Sequence, residues 1–100
     1  MPPIPAHAAV VRRSRVVAND LSDSETVMLD IDRGVYFGVR GVGRDIWDRL
    51  AHPTTLAALV AALTAQYRVD ERRCWDDVEG FLCELLEQGL IEVQVAPALR

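Results

Sequence analysis

Reactive side chains are sparse in this chain of 100 residues, and their spacing does not assemble a catalytic centre. Cys74 and Cys83 fall on opposite sides of one predicted helix, roughly 13 Å apart along its axis at about 1.5 Å per residue. A disulfide needs Cα atoms within about 7 Å, so we expect two free thiols. His7 and His52 are not spaced to share a metal ion with either cysteine.

The acidic and glycine-rich segments also lack the spacing of known reactive motifs. Asp30 and Asp32 flank a predicted hairpin turn, where they are better explained as turn-forming residues than as an acid–base pair. The glycines of residues 38–43 do not fit a dinucleotide-binding loop, and a joint between strand and helix explains them. No nucleophile elbow, phosphate-binding loop or Cys-x-x-Cys is present. We therefore expect a binding module, not an enzyme, with no catalytic residue, cofactor or metal.

Composition predicts one small domain. Half of the residues are hydrophobic, which is enough for a single modest core. We expect residues 1–7 to form a disordered Pro-rich tail and residues 8–96 to form the domain. Without a long apolar run or a charged head followed by an apolar stretch, the sequence predicts a cytoplasmic protein that does not enter a membrane.

The charge distribution argues against nucleic acid as a partner. The net charge is −4, and the acidic residues concentrate late in the chain. Nucleic-acid-binding proteins usually present a basic face, because neutralising phosphates supplies much of their affinity. The acids of the third predicted helix, including Glu84 and Glu87, would face phosphates if that helix entered a DNA groove.

The apolar pattern predicts three strands at the N-terminus. Ala8–Ala18 is rich in valine and is predicted as one strand. Two further strands, at about residues 25–31 and 35–39, meet at a turn in which Gly34 can take a positive φ. Alternation puts Val35, Phe37 and Val39 on one face of the last strand, with Tyr36 and Gly38 on the other.

Helical spacing dominates from Gly41 onward. The first helix begins at Gly41–Gly43 and ends at His52, before a proline. Thr54 or Thr55 caps the second helix, which ends at about Tyr67, and Asp70 caps the third, which ends at Gly89. The last strand runs from Leu90 to Val95. The order β-β-β-α-α-α-β predicts an α+β fold, in which a three-stranded antiparallel sheet precedes a winged helix-turn-helix.

The third helix carries more apolar surface than one buried stripe requires. The stripe spans about 100° and consists of Cys74, Val78, Phe81, Leu82 and Leu85. Beyond it on one flank lie Trp75, Glu79, Cys83 and Leu86. Two interpretations remain open: the helix is central and buried on two sides, or this flank lines a groove for a peptide.

Three motifs together resemble the PqqD-like family over about residues 8–95. They are the hairpin Val27–Phe37, the run Val42-Gly43-x-x-Ile46-Trp47-x-x-Leu50, and the helical pattern Asp77-Val78-x-x-Phe81-Leu82-x-x-Leu85. Members of this family are leader-peptide recognition domains for ribosomally made, modified peptides (RiPPs). A stand-alone chain of this length is most similar to the leader-binding protein of lasso-peptide biosynthesis.

The resemblance implies that a precursor leader peptide adds as an antiparallel strand to Val35–Val39 and packs against the third helix. The implied contact residues are Val35, Tyr36, Phe37, Gly38 and Val39 on the strand, and Trp75, Glu79, Cys83 and Leu86 on the helix. It also implies a second partner, a separate cysteine leader peptidase that cleaves the presented precursor. The alternative is a winged-helix DNA-binding regulator. The precursor, the product, the oligomeric state and the strand face that lines the groove are not predicted.

Overall fold

The computed structural model describes residues 4–23 and 25–94, which form an α+β fold. Its elements are β1 (Ala9–Arg12), β2 (Val16–Asp20), β3 (Glu25–Asp30), β4 (Val35–Arg40), α1 (Val42–Arg49), α2 (Leu56–Gln66), α3 (Glu71–Glu87) and β5 (Ile91–Gln94). The predicted fold class is confirmed: a three-stranded antiparallel sheet precedes three helices and a final strand.

The predicted hairpin is the centre of the three-stranded sheet, whose order is β2-β3-β4. Asp30 lies opposite Val35 at its closed end. The turn between them contains Gly34 at a φ of 67°, a value that glycine adopts without steric cost. Among the described strands, β4 pairs only with β3, so its second edge is open.

The prediction of one strand over Ala8–Ala18 is wrong, because this segment divides between two sheets. β1 pairs with β5 in a two-stranded ribbon, whereas β2 pairs with β3. A turn separates them, in which the N–H of Val16 donates to the carbonyl of Arg13 at 3.2 Å. The N–H of Arg13 donates to the carbonyl of Leu90 at 3.1 Å, which ties the first half to β5. The poor alternation of this segment reflects the break.

The core lies between the helices and one face of the three-stranded sheet. Met28 on β3 is fully buried, and Val39 on β4 is only 7% exposed. Tyr36, on the opposite face of β4, is 72% exposed. The inner face therefore carries Val35, Phe37 and Val39, a point that alternation alone left open.

Side chains cap the second and third helices as predicted. Thr55 accepts from the N–H of Ala58 at the start of α2, and Asp70 accepts from the N–H of Arg73 at the start of α3. Gly89, with a φ of 73°, follows the end of α3. Within residues 4–23 and 25–94, no helix is both long and apolar enough to cross a membrane.

Residues 4–7 lie against the domain, a contact that the predicted disordered tail did not include. Ile4 is buried in the core. The carbonyl of Ala6 accepts from the N–H of Ala57 at 3.1 Å, at the start of α2. Residues 1–3 of that predicted tail, and residues 95–96 of the predicted domain, fall outside the described residues.

Candidate functional site: the open edge of β4 beside α3

β4 offers one row of backbone groups that the described part of the sheet does not use. Its inner face carries Val35, Phe37 and Val39, of which Val39 is buried and the other two are half-buried. An unpaired strand edge presents alternating N–H donors and C=O acceptors to any segment that aligns with it. The chemistry of this edge is therefore that of strand addition.

α3 approaches one end of β4 through Phe81. Gly43, the second residue of α1, leaves the necessary space. A Cβ placed on Gly43 would lie 3.4 Å from Cζ of Phe81 and 3.6 Å from Cβ of Val39. The ring of Phe81 therefore packs where β4 passes into α1.

The other end of β4 is tied to the end of α3 by Arg33, which lies in the turn before β4. Its Nη2 donates to the carbonyl of Gln88 at 2.6 Å. Between Phe81 and Gln88, α3 advances by about 10 Å at 1.5 Å per residue. α3 therefore meets the β4 segment at two points, through Phe81 at the junction of β4 and α1 and through Gln88 at the turn before β4.

A cavity of about 360 Å³ opens next to Phe81, between the three helices. Its wall is largely apolar and includes Val42, Ile46, Leu63, Val78 and Phe81. The volume is at the lower end of the range for small-molecule or side-chain sites. It is suited to one or two apolar side chains of a bound segment.

Two charged residues, Arg73 and Asp77, line this cavity. Arg73 and Asp77 lie one helical turn apart, with 3.9 Å between Nε and Oδ2. The hydroxyl of Tyr67 donates to Asp45 at 2.9 Å, and this hydrogen bond is the main cause of the raised pKa of Tyr67. Cys74 also lines the cavity, where burial raises the pKa of its thiol and favours the neutral form.

The structure divides the predicted site residues into two groups. Val35–Val39 lie together on β4, as predicted. The helical residues of the predicted site are Trp75, Glu79, Cys83 and Leu86, all half-buried. At about 100° per residue, they lie about 120–160° around α3 from Phe81. Trp75 lines a separate shallow depression with residues at the N-terminus of α3. The contact of these four residues with a leader stays a prediction.

The sequence pattern does not single out Phe81, which lies at the junction of β4 and α1. It places Phe81 in the buried stripe and contains Asp77 only as part of a motif. The available signal was Gly43, since a glycine inside a helix implies a close neighbour. The identity of that neighbour depends on tertiary contacts such as Arg33 with Gln88, 55 positions apart.

The two cysteines are free, as the sequence predicted. Cys74 is buried and Cys83 is half-buried. Within the described residues, no group of three or more His, Cys, Asp or Glu side chains is arranged to hold a metal ion.

Known proteins share both the sequence pattern and the fold. The family described as coenzyme PQQ synthesis protein D (PqqD) matches residues 25–91. The structure of TbiB1 in complex with the TbiA(beta) leader peptide is similar with a TM-score of 0.76 and 31% identity, covering 89% of this chain and 99% of that one. Lasso peptide synthetase B1 complexed with the leader peptide shares the fold with a TM-score of 0.71 and 24% identity, covering 83% and 96%. A comparison with curated proteins gave no match.

Proposed function

This chain belongs to the PqqD family, and we propose that it is a RiPP recognition element that binds the leader segment of a precursor peptide. The leader adds as a strand to β4 and is presented to a separate cysteine leader peptidase, as in lasso-peptide biosynthesis. One observation carries the proposal: β4 has an open edge in a fold that the chain shares with a leader-bound protein.

Backbone pairing along Val35–Val39 supplies affinity that depends little on the leader's sequence. Side chains of the added strand alternate between the two sheet faces. Those on the inner face would meet the Phe81 flank of α3 and the adjacent cavity. Specificity therefore comes from the inner face, where shape and polarity are defined.

On α3, the geometry supports Phe81 and Asp77 as leader contacts ahead of the four residues expected from the sequence. Phe81 packs at the junction of β4 and α1, and Asp77 lies at the cavity mouth. The side chain of Asp77 is 75% exposed, so it remains available to a basic group of the leader. Such attraction would raise the association rate in a salt-dependent way.

The outer face of the three-stranded sheet is the surface on which we place the peptidase. Leu29 lies directly opposite Val17 on one side and Tyr36 on the other, giving an apolar row across all three strands. Val17 is 44% exposed, and Ile31, just beyond β3, is 49% exposed. Exposed apolar patches commonly mark protein interfaces. A leader strand added to β4 would continue this face, so the peptidase could contact protein and leader together.

The proposed role is recognition without catalysis, by a single domain over residues 8–96 acting in the cytoplasm. The peptide-bond chemistry belongs to the peptidase. The chain contributes a strand edge and a helix flank that hold the leader in one register.

Titration of a labelled synthetic leader, taken from the precursor encoded beside this gene, tests the proposal. We expect saturable binding that is lost when alternate leader amides are N-methylated, because methylation removes the donors that pair with β4. Equal binding of the methylated and unmethylated peptides would exclude strand addition. Absence of binding by the unmethylated leader would exclude the function itself.

The alternative of a winged-helix DNA-binding regulator is tested by a mobility-shift assay with operon DNA at low salt. β5 follows α3 and pairs with β1 in a two-stranded ribbon, as a wing would, but α3 exposes Asp76, Asp77 and Glu84. These carboxylates would oppose phosphates in a DNA groove. We expect no shift, and a specific shift would favour the alternative.

A further inference from the structure

Arg33 connects the hairpin of β3 and β4 with the end of α3, 55 positions away in the sequence. It lies in the turn between β3 and β4, and its Nε is 3.4 Å from Oδ2 of Asp30. Its Nη2 donates to the carbonyl of Gln88, the residue that ends α3. One side chain thus joins the end of β3, the start of β4 and the end of α3.

Both partners of Arg33 are well suited to hold it. The side chain of Asp30 is only 9% exposed, and it also accepts from the N–H groups of Asp32 and Arg33 at 3.0 and 3.3 Å. The carbonyl of Gln88 lies at the negative end of the α3 dipole, where a cation is favourable. α3 has no basic residue in its own last turn, so Arg33 supplies the charge from another element.

Gly89 gives the guanidinium the space it occupies. A Cβ on Gly89 would lie 3.0 Å from Nη1 of Arg33 and 3.4 Å from its Cζ. The first of these separations is shorter than an ordinary contact of a methyl group. The glycine after α3 therefore ends the helix and leaves room for the guanidinium of Arg33.

The position of Arg33 matters because the groove has two walls. The leader is expected to pair with the edge of β4 and to pack against α3 at the same time. These walls are held together by Phe81 at the Val39 end and by Arg33 at the Val35 end. Because these walls are already in place, leader binding does not lose free energy to ordering them.

We infer that Arg33 is a positioning residue, which fixes the separation between the open edge of β4 and α3 and thereby sets leader affinity without contacting the leader. This inference rests on the proposed function. It predicts that loss of the Arg33 contacts frees the Val35 end of the strand while the Val39 end remains packed.

The chain offers a matched control in Arg15. Its guanidinium pairs with Asp32 of the same turn, with 3.0 Å between Nη2 and Oδ1, but both side chains are more than half exposed. The hydrogen bonds of its guanidinium go to Asp32 and not to α3. Arg33→Met and Arg15→Met remove the same charge, so any general electrostatic effect on a charged leader is common to both.

The experiment measures binding of the labelled leader to wild type, R33M, R33K and R15M, with thermal melting of each. We expect R33M to bind about tenfold more weakly and R15M to stay within about twofold of wild type. R33K keeps the charge and can reach one partner but not both, so its affinity should lie between those of wild type and R33M.

Hydrogen exchange separates positioning from general destabilisation. In R33M, amides at the Val35 end of β4 should exchange faster while those near Val39 keep their wild-type rates. Uniformly faster exchange, wild-type affinity in R33M, or equal losses in R33M and R15M would each overturn the inference. If R33M does not fold, R33K carries the same test. Failure of wild type to bind the leader would instead refute the proposed function.

Discussion

The two flanks of α3 have nearly the same composition but face different surroundings. One flank presents Phe81 with Asp77, and the other presents Trp75 with Glu79. Each aromatic side chain is half-buried. The Phe81 flank contacts the junction of β4 and α1, whereas Trp75 lines a shallow depression at the start of the helix. Both flanks therefore have a composition that could bind a peptide, and tertiary contacts decide which of them lies beside the open strand.

Truncation of the aromatic residue on each flank should show most directly which flank the leader contacts. Phe81→Ala should weaken leader binding by at least about tenfold, or about 1.4 kcal/mol, because the inner-face side chains of the leader lose their packing surface. Trp75→Ala should change affinity by less than about twofold. Fluorescence anisotropy with a labelled leader measures both values.

The stability of each variant must be measured alongside. Removal of a half-buried ring also destabilises the fold, so melting curves are needed to show that both proteins are folded at the assay temperature. Phe81→Leu, which keeps most of the apolar volume, should recover much of the affinity. If W75A loses binding and F81A retains it, the sequence-based choice of flank is right and the choice made from the structure is wrong.

The sequence could predict what depends on neighbours along the chain. Alternation located β3 and β4, capping residues such as Thr55 and Asp70 located the helices, and the free thiols followed from helix geometry. These features rest on local periodicity and local hydrogen bonds.

What the sequence could not predict depends on distant contacts. The division of Ala8–Ala18 between two sheets reflects the pairing of β1 with β5, at the opposite end of the chain. Glu84 and Glu87 oppose the dipole near the C-terminus of α3, and the cation that interacts with this terminus, Arg33, belongs to the hairpin. The contact of Phe81 with the junction of β4 and α1 likewise depends on Gly43, which lies outside α3 and therefore on no helical wheel of that helix.

A smaller effect should follow from removing one carboxylate on each flank. Asp77→Asn should weaken leader binding by about two- to fivefold and reduce the dependence of the association rate on salt, since Asp77 lies at the cavity mouth. Glu79→Gln changes the net charge equally and controls for the general field of the protein. Stopped-flow association at low and high salt distinguishes them, and equal slopes for the two variants would show that only total charge matters.

The smallest expected effect is a difference in thiol reactivity that also reports which flank the leader covers. Cys74 is buried at the cavity wall, and burial raises the pKa of its thiol, so less thiolate is present at a given pH and alkylation is slow. Cys83 is half-buried on the other flank and should react first. Mass spectrometry after timed alkylation at pH 8, with Cys74→Ser and Cys83→Ser to assign the sites, gives both rates.

Leader binding over the Phe81 flank should slow the alkylation of Cys74 by a further few-fold and leave that of Cys83 unchanged, because only Cys74 lines the cavity. Protection of Cys83 in place of Cys74 would put the leader on the Trp75 flank, whatever the binding constants of the aromatic variants.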